Sequence, residues 1–178
     1  AKRYCSKGPC LEIGSYCGKS ALYLGAAVKE NNQLLYSIDH HRGSEEQQLG
    51  EEFFDPDLLD KSGKGINTLP FFLDTIDRAD LNGIVIPIVS SSVEANEVWS
   101  KPLAMVLIDG GHSEKAANDD YDVWHPYIIK GGLLAIHDVF PNPEDGGRPP
   151  FDIYTKAKES GLFKEVDMIN SLALLEKL

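Results

Sequence analysis

Apolar residues along this chain fall into five short runs, at 11–13, 34–38, 84–89, 103–108 and 133–136. Runs of this length, bounded by polar and glycine positions, read as strands covered on both faces. Between them the period lengthens to that of amphipathic helices. After Gly18, the residues Ala21, Leu22 and Leu24 share a helical face, and over 67–77 Leu69, Phe72, Leu73 and Ile76 do so. Pro70 falls in the first turn of that second helix, where a missing N–H costs nothing. Further helices are predicted over 93–99, 118–127 (Tyr121 and Trp124 inward) and 151–160, with Lys130, Gly131 and Gly132 as the C-terminal turn after the second of these. The continuous run 103–108 is the central strand, and Pro87 marks 84–89 as an edge or bulged one. Two final strands, 163–169 and 171–178, meet at Asn170 in a hairpin.

Strand and helix alternate five times before the hairpin. The pattern predicts an α/β fold: a Rossmann-like, seven-stranded, mostly parallel sheet with an antiparallel C-terminal hairpin and helices on both faces. One domain over 1–178 is expected at this length. One segment, 43–65, does not fit the alternation. It is polar, punctuated by Gly and Pro, and carries the apolar pair Phe53 and Phe54, which suits a lid over a pocket or a contact in a homodimer. The opening, AKRYCSKGPC, begins just before the first strand, so an N-terminal cap ahead of it is expected to be missing.

Charge narrows the partners. The formal net charge is −11 and 42% of residues are hydrophobic. A phosphate backbone or anionic membrane is repelled by such a chain, so no nucleic acid and no membrane partner is expected, and a small molecule is. Cys5, Cys10 and Cys17 form no C-x-x-C pair, which fits reduced thiols and a cytoplasmic location.

The chemistry lies at the strand ends. Glu12, Gly14 and Gly18 give E-x-G-x-x-x-G at a strand–helix turn, one residue longer than the dinucleotide fingerprint G-x-G-x-x-G. Glycines there let backbone approach a ligand at a helix N-terminus, although a tight turn without a ligand has the same pattern. Asp39 ends the second strand at the position where α/β cofactor folds bind ribose hydroxyls, with His40, His41 and Arg42 directly after it. Asp109, His112, His137 and Asp138 follow the fourth and fifth strands and should converge on the same crevice. Either they hold a divalent cation, or the carboxylates cap loops while an imidazole acts as general base. Asp119 and Asp120 read as helix-terminal or supporting charges. Arg148 is either a partner for an anionic substrate group or one half of a surface ion pair.

LEIGSYCGKSALYL, followed by YSIDHH, LIDGGHS and GGLLAIHD, resembles the class I S-adenosylmethionine-dependent methyltransferases, and most of all their small branch with an I-D-G-x-H-S signature. The resemblance spans nearly the whole chain. It implies S-adenosylmethionine held by Glu12, Gly14, Ser15, Tyr16, Gly18, Ser20, Asp39, His40, Ser91, Asp109 and His112, with Ser91 standing where relatives have an acidic contact to adenine. It implies methyl transfer to a small-molecule acceptor, with oxygen as the favoured atom. His112, His137 and Asp138 would act in catalysis, or Asp109, His137 and Asp138 would bind Mg²⁺ or Mn²⁺. An NAD-dependent oxidoreductase and a non-catalytic cofactor-binding module of the same fold are the alternatives.

Overall fold

A computed structural model of the chain describes residues 1–178 except Glu52 and Gly146. Seven strands form one sheet: β1 (Cys10–Ile13), β2 (Leu35–Ile38), β3 (Val85–Ile88), β4 (Leu103–Ile108), β5 (Ile128–Ile136), β6 (Phe163–Ile169) and β7 (Leu172–Lys177), in the order β3-β2-β1-β4-β5-β7-β6. The first five are parallel, and β7 is antiparallel to both β5 and β6. The predicted fold is the observed one. Chain order reverses between β1 and β4, the switch point outside which open α/β sheets bind ligands.

Strand alternation divides the core in two. Leu11 and Ile13 pack with Tyr121, Trp124, Ile153 and Tyr154 beneath α4 (Ser92–Glu97), α5 (Glu114–Trp124) and α6 (Pro149–Glu159). Cys10 faces the opposite side, with Tyr4, Val28, Phe72 and Ile76 from α1 (Lys2–Cys5), α2 (Lys19–Glu30) and α3 (Leu69–Arg78). Pro87 stands in the edge strand β3, which donates to only one neighbour, and Asn170 turns the hairpin at φ 54°.

Several boundaries and faces differ from the pattern. Helix α2 buries Ala21, Gly25 and Val28, while Leu22 is exposed. Small residues face inward because the helix lies close: a Cβ on Gly25 would come within 2.7 Å of Val85 Cγ2. Leu73 of α3 is likewise exposed, leaving Phe72 and Ile76 as its anchors. Helix α5 starts at Glu114, capped by the Ser113 hydroxyl accepting from Ala116 N–H, and ends at Trp124, ahead of Pro126. Strand β5 begins at Ile128, paired with Leu103, and reaches Leu133 through a register shift opposite Leu103 and Met105. Gly131 and Gly132 therefore lie inside the strand, not in a helix terminus, with Gly131 at φ 70°.

Candidate functional site

The turn after β1 is shaped by contacts that only glycine permits. Gly14 has φ 88°, and a Cβ there would lie 1.9 Å from the Asp109 carbonyl oxygen. Its N–H donates to Ile38 O at 3.0 Å, while Asp109 N–H donates to Ile13 O at 2.9 Å, so three strand ends are tied at one point. Gly18, at φ 91°, caps α2 against Thr75 and Phe72 of α3. Asp39 closes the arrangement: its Oδ2 accepts from Tyr16 N–H at 2.8 Å and its Oδ1 from His41 N–H at 2.6 Å.

These ends surround a cavity of about 630 Å³, the volume of an ordinary cofactor or ligand pocket. Gly14, Tyr16, Asp39, His40, Ser91, Asp109 and His112 line it. Glu12, Ser15, Gly18 and Ser20 are not among the lining residues. Glu12 is fully buried, its Oε1 taking the Ser37 hydroxyl at 2.6 Å while its Oε2 has no hydrogen-bond partner among the described residues. Burial pushes its carboxyl up to about 7 against the pull of nearby serine hydroxyls. Ser91 is the N-cap of α4 and shares a capping box with Glu94, which occupies its hydroxyl.

The β4 and β5 ends carry a chain of opposite charges. His137 Nδ1 lies 3.1 Å from Asp109 Oδ1 and 3.0 Å from Asp138 Oδ1; His112 Nε2 lies 3.2 Å from Asp138 Oδ2, and its Nδ1 lies 3.8 Å from Glu46 Oε2. The carboxylates of Asp109 and Asp138 hold the His137 imidazole protonated up to about 10, and Asp138 raises His112 as well. The two imidazoles in turn keep Asp138 well below the usual carboxylate range. Asp138 adopts φ 56°, a left-handed conformation that Asp enters more readily than most side chains. Asp109, His137 and Asp138 can bring one ligand atom each within 4.8 Å of the others, so the predicted metal group converges. His137 itself lines a small cleft beside the main cavity, with Asp109 and His112.

Asp120 and Glu46 are among the lining residues that the sequence pattern does not assign to the cavity. Asp120, from α5, is 6% exposed and lines the cavity. Its signal was present: it sits on the inward stripe with Ala117, Tyr121 and Trp124, where an acid has no packing role. Glu46, by contrast, comes from the irregular insertion, whose first part, from Gly43 to Gln47, walls the cavity. Phe53 is exposed and neither it nor Phe54 is among the lining residues. His41 is structural, buried at φ 58° with Nδ1 2.7 Å from Thr68 Oγ1. Arg148 pairs with Asp152 at 2.7 Å on the surface. No helix among the described residues is long and apolar enough to cross a membrane.

A family model described as a methyltransferase domain matches residues 11–139. Among solved structures, the O-methyltransferase NovP superposes with a TM-score of 0.71 at 14% identity, over 99% of this chain and 77% of that one. SAH-bound methyltransferase PaMTH1 from Podospora anserina gives 0.66 at 11% identity, over 96% and 71%. An rRNA methylase from Streptococcus thermophilus gives 0.62 at 12%, over 99% and 93%. At such identities the structural likeness speaks for the fold, which proteins with different acceptors share.

Proposed function

Because the chain belongs to this methyltransferase-domain family, within the class I S-adenosylmethionine-dependent enzymes, we propose that it transfers a methyl group from S-adenosylmethionine to an oxygen of a small-molecule acceptor. The observation that carries the reading is the cavity at the switch point, with Asp39 at its wall and no room for a side chain at Gly14. Each Asp39 oxygen holds one backbone N–H and keeps a lone pair for a ribose hydroxyl. Tyr16, His40, Asp109 and His112 line the same cavity. Glu12, Ser15, Gly18 and Ser20 act on the cofactor indirectly, by holding the turn.

The bound sulfonium supplies an already activated methyl group. What remains for the chain is to align the acceptor, exclude water and manage the acceptor's proton. We assign this to His112, His137 and Asp138: the acceptor hydroxyl gives its proton to solvent and attacks as an oxyanion held by the two imidazoliums, and that charge is discharged as the oxygen–methyl bond forms and the sulfonium–methyl bond breaks. The donor set of Asp109, His137 and Asp138 also fits a divalent cation, Mn²⁺ or Mg²⁺, which would lower the pKa of an acceptor hydroxyl. Small-molecule acceptors are favoured over RNA on charge, since the net −11 opposes a phosphate backbone. Three free cysteines and no disulfide among the described residues suit the cytoplasm.

Calorimetric titration with S-adenosylmethionine, S-adenosylhomocysteine and NAD, each with Mg²⁺, with Mn²⁺ and with chelator, tests the reading. Micromolar binding of both adenosyl compounds and none of NAD is expected. NAD binding alone would overturn it, and adenosyl binding without methyl transfer to any phenol, sugar or RNA tried would favour a non-catalytic module.

A further inference from the structure

Cys5 and Cys10 meet on the face of the sheet away from α4, α5 and α6. Their Sγ atoms lie 3.2 Å apart, the Cys10 thiol donating to Cys5, and both side chains are fully buried in the core cluster that holds Tyr4, Leu35 and Leu133. Each sulfur is delivered by a fixed piece of backbone. Cys10 opens β1, its N–H donating to Leu34 O at 2.9 Å, and Pro9 O before it accepts from Ala104 N–H at 2.8 Å. Cys5 closes α1, a single helical turn docked by the Tyr4 hydroxyl on Glu176 Oε2 at 2.9 Å and followed by Lys7, whose Nζ donates to Gly131 O. Cys17, the third cysteine, lies past the other end of β1. Neither Cys5 nor Cys10 lines the cavity.

A covalent S–S bond is about 2.0 Å long, so about 1 Å of approach separates this contact from a disulfide. The hydrogen bond favours the Cys5 sulfur as the thiolate and keeps the proton on Cys10, which assigns attacker and partner. We propose that Cys5 and Cys10 are a reversible redox pair: hydrogen peroxide, admitted when α1 lifts from the sheet, closes them into a disulfide that staples α1 to β1. The lift breaks little. One turn is far below the length at which a helix holds alone, and the pairs Lys2–Glu30 and Arg3–Glu176 are exposed ones that add little. The Cys5 thiolate attacks one peroxide oxygen, the O–O bond breaks and hydroxide leaves, giving a sulfenic acid. The Cys10 sulfur then attacks the sulfenic sulfur, its own proton leaves, and the sulfenic oxygen departs as water. Two thiols and one peroxide thus become one disulfide and two waters, with sulfur oxidised and peroxide oxygen reduced. A pair reduced at rest and closed by oxidant matches the transient, redox-sensing use of disulfides in reducing compartments.

The test treats the reduced chain with hydrogen peroxide until free glutathione in a parallel tube is consumed, then alkylates it in denaturant and counts thiols by intact mass. Of the three free thiols one should remain, with the Cys5–Cys10 link located by peptide mapping and all three returned by dithiothreitol. The oxidised chain should melt about 5 °C higher, since a short loop is closed in its unfolded state. Tyr4→Phe, which frees α1 from Glu176, should speed closure about fivefold. The wild-type thiol count stands by itself should that variant fail to fold. Three alkylatable thiols after treatment, a link through Cys17 or between chains, or a lower melting temperature on oxidation would each overturn the proposal. So would a closure rate that Tyr4→Phe leaves unchanged.

Discussion

The two halves of the cavity rim hold their carboxylates in different ways. At the β1 and β2 ends, Glu12 and Asp39 are answered by neutral donors: the Ser37 hydroxyl and the N–H groups of Tyr16 and His41. At the β4 and β5 ends, Asp109 and Asp138 are answered by imidazoles. Neutral donors keep one geometry whatever the ion concentration. Charge answered by charge shifts with it, and with whatever acceptor enters. The first half thus suits a constant ligand and the second a chemical step, which is the division a methyl donor and a variable acceptor require.

The sharpest break is at the point where the halves touch. Gly14→Ala would set a methyl group 1.9 Å from the Asp109 carbonyl oxygen at a φ of 88°. Left-handed strain and backbone overpacking together should cost about 3–5 kcal/mol by urea denaturation and abolish S-adenosylhomocysteine binding. A stable, ligand-binding alanine variant would show that the turn is not the junction described here. Next comes Asp39→Ala, confined to the first half. Two backbone N–H groups lose their acceptor, which should cost about 1–3 kcal/mol. Affinity for S-adenosylhomocysteine should fall about 100-fold, the sum of lost ribose contacts and a loosened turn.

The contrast between the halves was only partly legible in the sequence. Residues ending apolar runs, such as Asp39, Asp109 and Asp138, could be placed because parallel strands are near-continuous apolar segments and their C-terminal ends share one side of the sheet. What those side chains touch could not. Glu12 follows the same rule of position, yet alternation turns it under the turn and away from the cavity, toward Ser37. Asp120 lay on a helix whose start was read four residues too late, because its charged run 119–120 resembled a first turn and the Ser113 cap was passed over. Glu46 had no signal at all, since an irregular insertion carries no period from which a direction can be read. The same holds for the glycines of β5, where a bulge and a helix terminus use the same residues.

His137→Ala tests whether the halves are separable. Removing the imidazole leaves Asp109 and Asp138 facing one another without their shared cation. Mn²⁺ affinity, measured by calorimetry, should fall about 10-fold or more if these three residues hold an ion. S-adenosylhomocysteine affinity should stay within about threefold of wild type, since no ribose or turn contact is touched. A loss of cofactor affinity as large as that of Asp39→Ala would merge the two halves into one.

The smallest effect concerns Glu12, and its sign follows from its surroundings. Burial raises this carboxyl from an ordinary 4.5 to about 7 in the folded chain. Between those values the folded state binds more protons than the unfolded one, so stability is fully present below pH 4.5 and declines as pH rises through 7. At about 1.4 kcal/mol per unit the decline has an upper bound of about 3 kcal/mol. Glu12→Gln removes the ionisation but weakens the bond from the Ser37 hydroxyl, so the net gain at pH 8 should be about 1 kcal/mol, with none at pH 4.5. Urea midpoints for both proteins at matched pH check this, because the histidines and other titrating groups are common to the two and cancel in the difference. A difference that does not change between pH 4.5 and pH 8 would mean that Glu12 ionises as freely in the folded chain as in the unfolded one. The first half of the rim would then be open to water, and its contrast with the second would weaken.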